Sequence, residues 1–106
     1  MALSIVVLIS GSGTNLGAVL DAIARGRCDA EVRAVISDRS SAKGLERAHA
    51  ADIASRVVRM ADYPDREQWN IGLADAVESY APELVVLAGF MRVLGASFIA
   101  RFAGRI

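Results

Sequence analysis

Residues 4–17 read Ser-Ile-Val-Val-Leu-Ile-Ser-Gly-Ser-Gly-Thr-Asn-Leu-Gly, and this stretch decides the fold. Its first half is a short apolar run rich in β-branched residues, which is typical of a strand buried in a parallel sheet. Its second half is a glycine-rich turn followed by a helical pattern. A helix start has unpaired N–H groups and partial positive charge, and glycine lets the backbone approach an anion closely. The stretch therefore predicts a strand–turn–helix unit that can hold a phosphate.

Strand and helix patterns alternate along the rest of the chain. The predicted elements after the first strand are a helix over about 15–25, a strand near 31–37, a short helix over about 43–51, a strand near 56–58, a helix between Pro64 and Pro82, a strand over 84–88, a last helix with Leu94, Phe98, Ile99 and Phe102 aligned, and a further strand beginning at Arg105-Ile106. This order predicts an α/β protein with a Rossmann-like parallel sheet and helices on both faces.

The strands at 4–10 and 84–88 are the most strongly apolar, and the strand at 31–37 is expected to be less central because it begins with polar alternation. Ligands of open parallel sheets bind beyond the carboxyl ends of the strands, where the strand order reverses. We therefore expect the loops Gly11-Ser-Gly13 and Gly89-Phe-Met-Arg92 to line one cleft.

Composition limits the possible functions. The 106 residues are 54% hydrophobic, enough for one globular domain over 1–106, and twelve basic residues balance twelve acidic ones without a basic block, which argues against nucleic-acid binding. The single cysteine, Cys28, excludes an internal disulfide, and the absence of a Cys/His cluster argues against a metal site. No signal peptide or membrane-spanning run is found, so the sequence predicts a soluble protein of the reducing cytoplasm that has no membrane partner.

Other uses of the glycine turn stay open at this point. A dinucleotide-binding domain would use Gly11, Gly13 and Gly17, but its fingerprint places the last glycine at position 16, which is leucine here. In that interpretation Asp38 would bind a ribose hydroxyl and Arg39 a 2′-phosphate. A P-loop fits less well still, because no Gly-Lys-Ser/Thr is present, and a turn that binds nothing is the plainest alternative. Thr14 and Asn15 favour a terminal phosphate.

Three segments resemble the phosphoribosylglycinamide formyltransferase family. They are Ile5–Leu16, Gly44-Leu-Glu-Arg-Ala48 and, most specifically, Tyr80-Ala-Pro-Glu-Leu-Val-Val-Leu-Ala-Gly-Phe-Met-Arg92. The resemblance implies an enzyme of purine biosynthesis that transfers a formyl group from 10-formyltetrahydrofolate, a cosubstrate, to the amine of glycinamide ribonucleotide. It implies no metal.

The resemblance also implies which residues form the site. Gly13, Thr14 and Asn15 match the family's phosphate-binding turn, and Arg66 matches an arginine that contacts folate. Met91, Arg92, Val93 and Leu94 match the loop that holds the pterin, largely through backbone groups.

The same residues have plainer explanations when the resemblance is set aside. Arg66 would be a solvated arginine at a helix start, Met91 and Leu94 would belong to the core, and Arg92 would form a surface ion pair. His49, the single histidine, has no matching role in the family and is expected at the surface. Trp69 is expected in the core, and Cys28 is not expected to act as a nucleophile.

The family's catalytic residues have no match in this sequence. Its asparagine and histidine lie in an Asn-x-His-Pro motif just after the strand that Arg105-Ile106 begins, and its aspartate lies further on. The resemblance therefore implies an amino-terminal half that is inactive alone. An open sheet edge further predicts self-association into a homo-oligomer, or dependence on the remaining half.

Overall fold

The computed structural model describes residues 2–106 and has the predicted alternation of strands and helices. In chain order the elements are β1 (Leu3–Ile9), α1 (Thr14–Ala24), β2 (Ala30–Ser37), α2 (Gly44–Ala50), β3 (Ser55–Val57), a 3-10 turn (Met60–Asp62), α3 (Arg66–Glu78), β4 (Leu84–Leu87) and α4 (Ala96–Arg101). The α/β class is confirmed, and the element boundaries differ from the predicted ones mostly by one or two residues.

The sheet is parallel, with the strand order β3-β2-β1-β4. The chain moves from β1 outward through β2 and β3, and then returns to place β4 on the other side of β1. The strand order therefore reverses between β1 and β4, which is where a parallel α/β sheet opens a crevice for ligands.

Helices cover both faces of the sheet, as predicted. On one face, Val6 and Leu8 of β1 pack in a cluster that includes Trp69 of α3 and Phe98 of α4. On the other face, alternate residues of β1 pack in a second cluster that includes Leu16 of α1 and residues of α2. The six residues Ser4–Ile9 are all buried, so β1 is the central strand that the sequence predicts.

The prediction that β4 is, after β1, the second strongly buried strand is wrong, because β2 has more buried residues. Within residues 2–106, β2 pairs with strands on both sides, whereas β4 pairs with a strand on one side only, and Leu87 at its end is 45% exposed. The exposed polar residues in the first half of β2, Glu31 and Arg33, made the strand look less buried from sequence than it is. The register with β1 shifts between Val32 and Ala34, which leaves Arg33 out of the pairing, and the strand is buried from Ala34 onward.

The last helix also differs from its prediction. It begins at Ala96, so Leu94 precedes it, and Ile99 is 49% exposed while Phe98 and Phe102 are fully buried. The N–H of Val85 donates to the carbonyl oxygen of Arg105, but the strand predicted to begin at Arg105-Ile106 is not formed within the described residues. Among residues 2–106, none of the helices has the length and apolar character that crossing a bilayer requires.

Candidate functional site

The glycine turn after β1 has the geometry of an anion site. Gly13 takes a left-handed conformation, with φ 77° and ψ 20°, immediately before α1 begins at Thr14. No side chain caps this helix, and the first amide bonded to the turn is that of Gly17, which donates to the Gly13 carbonyl oxygen at 2.7 Å. Within the described residues, the backbone N–H groups of Thr14–Leu16 thus have no acceptor, and they are free to donate to an anion.

Two side chains extend from the turn into solvent. Thr14 and Asn15 are exposed, while Leu16 is fully buried and fixes α1 on the sheet. The hydroxyl groups of Ser12 and Thr14 lie 3.0 Å apart, in hydrogen-bond distance. The turn therefore adds hydroxyl and amide groups to the backbone donors at the same point.

The loop that follows β4 begins at Gly89, which is also left-handed with φ 75°. The N–H of Met91 donates to Ser10 Oγ at 2.8 Å, and Phe90 stacks on Trp69 with their ring centroids 6.3 Å apart. Met91 and Val93 are nevertheless 71% and 74% exposed. The loop is therefore anchored through its other residues, while these two apolar side chains are presented to solvent.

The two loops line one cleft, as the sequence predicts. A cavity of about 160 Å³ is bounded by residues 11–15 on one side and by Ala88, Gly89 and Met91 on the other. A Cβ placed on Gly89 would lie 3.6 Å from the side-chain nitrogen of Asn15. The cleft lies at the carboxyl ends of β1 and β4, at the reversal of strand order.

Arg92 is directed into the protein. Its Nε donates to Oδ2 of Asp38 at 2.9 Å, and the Asp38 side chain is completely buried while that of Arg92 is 37% exposed. Asp38 is therefore occupied by a protein partner, which does not favour its use as a ribose ligand. The sequence analysis considered a surface ion pair for Arg92. Arg92 does form an ion pair, but its partner Asp38 is buried.

Arg66 is the first residue of α3, and its side chain is exposed. The turn that carries it is tied to the loop after β4 through Asn70, which is buried. Asn70 Nδ2 donates to the Arg66 carbonyl oxygen at 2.9 Å, and Asn70 Oδ1 accepts from the Gly95 N–H at 2.7 Å. Leu94, half-buried, packs against the core on the same side.

Three polar residues support the site and were not identified from sequence: Ser10, Asn70 and Arg47. Arg47 of α2 lies along the glycine turn, with its Nε donating to the Ser12 carbonyl oxygen at 3.3 Å. Asn70 carried a readable signal, because a polar residue next to Trp69 on the buried side of a helix needs a partner. Ser10 and Arg47 carried no comparable signal, since their partners are distant in sequence.

The single histidine and the single cysteine are not among the residues that line the cleft. His49 and Cys28 are both exposed, as expected. Hydrogen bonds from Arg59 to Asp62 raise the pKa of the exposed Arg59 guanidinium, and their charge attraction adds to the effect. Residues 2–106 contain no group of three or more side chains suited to hold a metal ion.

Comparison with known proteins identifies relatives over nearly the whole chain. Residues 3–106 match the sequence profile described as formyl transferase. The phosphoribosylglycinamide formyltransferase of Escherichia coli (strain K12) is 44% identical over 104 residues, which are 98% of this chain and 49% of that protein. The trifunctional purine biosynthetic protein adenosine-3 of Homo sapiens is 33% identical over 102 residues, covering 96% of this chain and 10% of that protein.

A solved structure agrees with the sequence comparison. The phosphoribosylglycinamide formyltransferase of Coxiella burnetii superimposes with a TM-score of 0.95 at 47% identity, covering 99% of this chain and 49% of that one. The chain thus spans about half the length of the Escherichia coli and Coxiella burnetii proteins. The match includes the glycine turn, the loop after β4 and all the strands between them, and the chain belongs to the formyl transferase family.

Proposed function

We propose that this chain takes part in formyl transfer from 10-formyltetrahydrofolate to the amine of glycinamide ribonucleotide, in purine biosynthesis. Its own contribution is the phosphate-binding turn and part of the folate wall. The observation that carries the proposal is the shared cleft, in which an uncapped helix start faces an apolar loop across the sheet's reversal point. The names of the relatives indicate the phosphoribosylglycinamide acceptor, and the family resemblance implies the folate donor.

The phosphate of glycinamide ribonucleotide fits the turn formed by Gly13, Thr14 and Asn15. The free N–H groups at the start of α1 supply donors and partial positive charge. The exposed Thr14 hydroxyl and Asn15 amide can add side-chain hydrogen bonds. Gly13 takes the left-handed conformation that forms this turn, and its Cβ position is closed by the Gly44 backbone, so the turn requires glycine there.

The folate fits the loop after β4. Met91 and Val93 present apolar surface that a flat heterocycle can cover, and the backbone of Met91–Leu94 offers hydrogen-bonding groups. The guanidinium of Arg66 is suited to a carboxylate of the folate tail because it can bind both oxygens. Arg92 would act through its backbone, since its side chain is directed to Asp38.

The catalytic groups are not assigned to this chain. Formyl transfer needs a donor for the charge that develops on the formyl oxygen and a group that moves the amine proton. His49, the single histidine, is exposed on α2 and does not line the cleft. We therefore propose that the present residues bind and orient the substrates without performing the proton transfer.

Calorimetric titration with glycinamide ribonucleotide tests the phosphate turn. We expect Thr14→Val and Asn15→Leu to weaken binding, because each removes a side-chain hydrogen-bonding group without adding charge. Ser41→Ala, in an exposed loop outside the cleft, is the matched control and should bind as the wild type does. Unchanged affinity in both turn variants would remove Thr14 and Asn15 from the site.

A dinucleotide-binding module is the competing function, and the structure does not favour it. Position 16, where the fingerprint requires glycine, holds a leucine that is fully buried against the sheet. Titration with NAD and with NADP under the same conditions tests this directly. Tight binding of either, without binding of glycinamide ribonucleotide, would replace the proposed function.

A further inference from the structure

Asp38 is an unusual residue to find completely buried. It follows the last residue of β2, and its side chain has no exposed surface. Oδ2 accepts a hydrogen bond from Arg92 Nε, but Oδ1 has no hydrogen-bond partner among residues 2–106. A buried carboxylate is costly unless its oxygens are paired, so the pair is weak evidence for stability and calls for another explanation.

The ion pair connects two parts of the sheet that are not neighbours. Asp38 follows β2 and Arg92 follows β4, and β1 lies between these strands. The pair therefore crosses over the carboxyl end of β1. At that end Ser10 Oγ accepts a hydrogen bond from the N–H of Met91. Met91 is thus bonded to the residue that follows β1, and Arg92 to the residue that follows β2.

The contacts of the loop after β4 determine which of its side chains face the protein and which face solvent. Phe90 packs on Trp69 and Arg92 reaches Asp38, whereas the intervening Met91 and the following Val93 are mostly exposed. Without the contact to Asp38, Arg92 would no longer hold the loop to the protein interior, and only the packing of Phe90 would remain of these two inward contacts. The direction of the Met91–Leu94 backbone groups therefore depends on the Asp38 carboxylate.

We propose that Asp38 is a positioning residue for folate binding: through Arg92 it holds the Met91–Leu94 backbone in the orientation that the folate wall requires. The inference rests on the proposed function for the identity of the ligand. The role of Asp38 in orienting the loop is argued from the contacts of the loop alone and does not depend on that function. An exposed ion pair, Arg59 with Asp62, offers a comparison in the same chain, because both of its side chains are about half exposed.

Hydrogen exchange and calorimetry on the full chain test the proposal with Asp38→Ala, Asp38→Asn and the control Asp62→Ala. In Asp38→Ala we expect the amides of Met91–Leu94 to exchange on the order of tenfold faster, while the amides of Val6–Leu8 in β1 keep their rates. Asp38→Asn retains an acceptor for Arg92 and should restore loop protection. Asp62→Ala should leave the loop unchanged.

Binding supplies the second readout. Affinity for 10-formylfolic acid, a stable folate probe, should fall on the order of tenfold in Asp38→Ala and recover in Asp38→Asn. Affinity for glycinamide ribonucleotide should stay at the wild-type value, because the glycine turn is anchored separately. The double variant Asp38→Asn/Arg92→Met removes both charges together and leaves no unpaired carboxylate. It should show the same loop exchange as Asp38→Ala, and it replaces that variant if Asp38→Ala does not fold.

Two results would overturn the proposal. One is a loop that exchanges at the wild-type rate in the variants that lose the contact. The other is exchange that accelerates equally in β1 and the loop, which would make the pair a matter of general stability. If the wild type binds neither probe, the proposed function fails, and the loop exchange still decides whether Asp38 positions the loop.

Discussion

Gly13 and Gly44 meet backbone to backbone. A Cβ placed on Gly13 would lie 2.4 Å from the Cα of Gly44, and the Gly44 N–H donates to the Gly11 carbonyl oxygen at 3.2 Å. The start of α2 is therefore packed directly against the glycine turn. Neither glycine has room for a side chain, because a Cβ on Gly44 would in turn lie 2.5 Å from Cδ1 of Ile9.

Gly13→Ala should destabilise the chain strongly. The new Cβ carries a left-handed strain of about 1–2 kcal/mol and also overlaps the Gly44 backbone, which cannot move aside as a side chain would. We expect a total loss of about 3 kcal/mol in the free energy of unfolding, measured by urea denaturation.

Gly26→Ala is the matched control for that change. Gly26 is also left-handed, with φ 73°, but nothing lies within 4 Å of its Cβ position. Its alanine should therefore show the conformational strain alone, about 1–2 kcal/mol. Equal losses in the two variants would show that the contact between Gly13 and Gly44 is not tight.

The strands, the helices and the shared cleft could be predicted from sequence because each leaves a local signal. The apolar run of β1, the glycines that follow it and the 3.6-residue period of α3 all act over short distances. The position of the cleft then follows from the general rule for parallel sheets. Trp69 was placed in the core correctly, and its Nε1 donates to the Val58 carbonyl oxygen at 2.9 Å.

The features that could not be predicted depend on partners far apart in the chain. Asp38 and Arg92 are separated by 54 positions, and no pattern in either neighbourhood indicates that they meet. The exposure of Leu87 is likewise set by its edge position in the sheet, which a uniformly apolar strand sequence does not reveal. The register shift leaves the polar Arg33 outside the pairing with β1, so an interior strand contains a charged residue that is typical of a less central strand.

Asn70→Ala should weaken the connection between α3 and the loop after β4. The change removes two partly buried hydrogen bonds and leaves the Gly95 N–H without its acceptor, so we expect a loss of about 2 kcal/mol in the free energy of unfolding, measured by urea denaturation. Gln68→Ala, at an exposed position of the same helix, should cost less than about 0.5 kcal/mol. Similar losses for both would mean that the Asn70 bonds contribute no net stability.

Arg66→Ala should separate binding from stability. The side chain is exposed and no hydrogen bond or ion pair of its guanidinium is found within residues 2–106, so the free energy of unfolding should change by less than about 0.5 kcal/mol. Affinity for 10-formylfolic acid should fall on the order of tenfold, because a charge-assisted contact is lost. Arg27→Ala, an exposed arginine after α1, is the control, and an equal effect there would assign the loss to net charge.

The side of the sheet next to β4 carries an apolar surface, which we define as Leu87, Val93, Ile99 and Ile106. These residues line a groove of about 450 Å³ together with Arg92 and Leu94. Two of them, Ile99 and Ile106, are each about half exposed. Exposed apolar side chains beside the end strand of a sheet favour association with a second copy of the chain.

Ile99→Lys should therefore reduce self-association of the chain. We expect the wild type to show sedimentation coefficients that rise with protein concentration, and Ile99→Lys to sediment as a monomer, because a buried lysine charge would oppose contact at this surface. Leu3→Lys is the matched control, since Leu3 is also an exposed apolar residue, 38% accessible, at the opposite end of β1. It should associate as the wild type does. A wild type that stays monomeric at every concentration would contradict the prediction, as would equal loss of association in both variants.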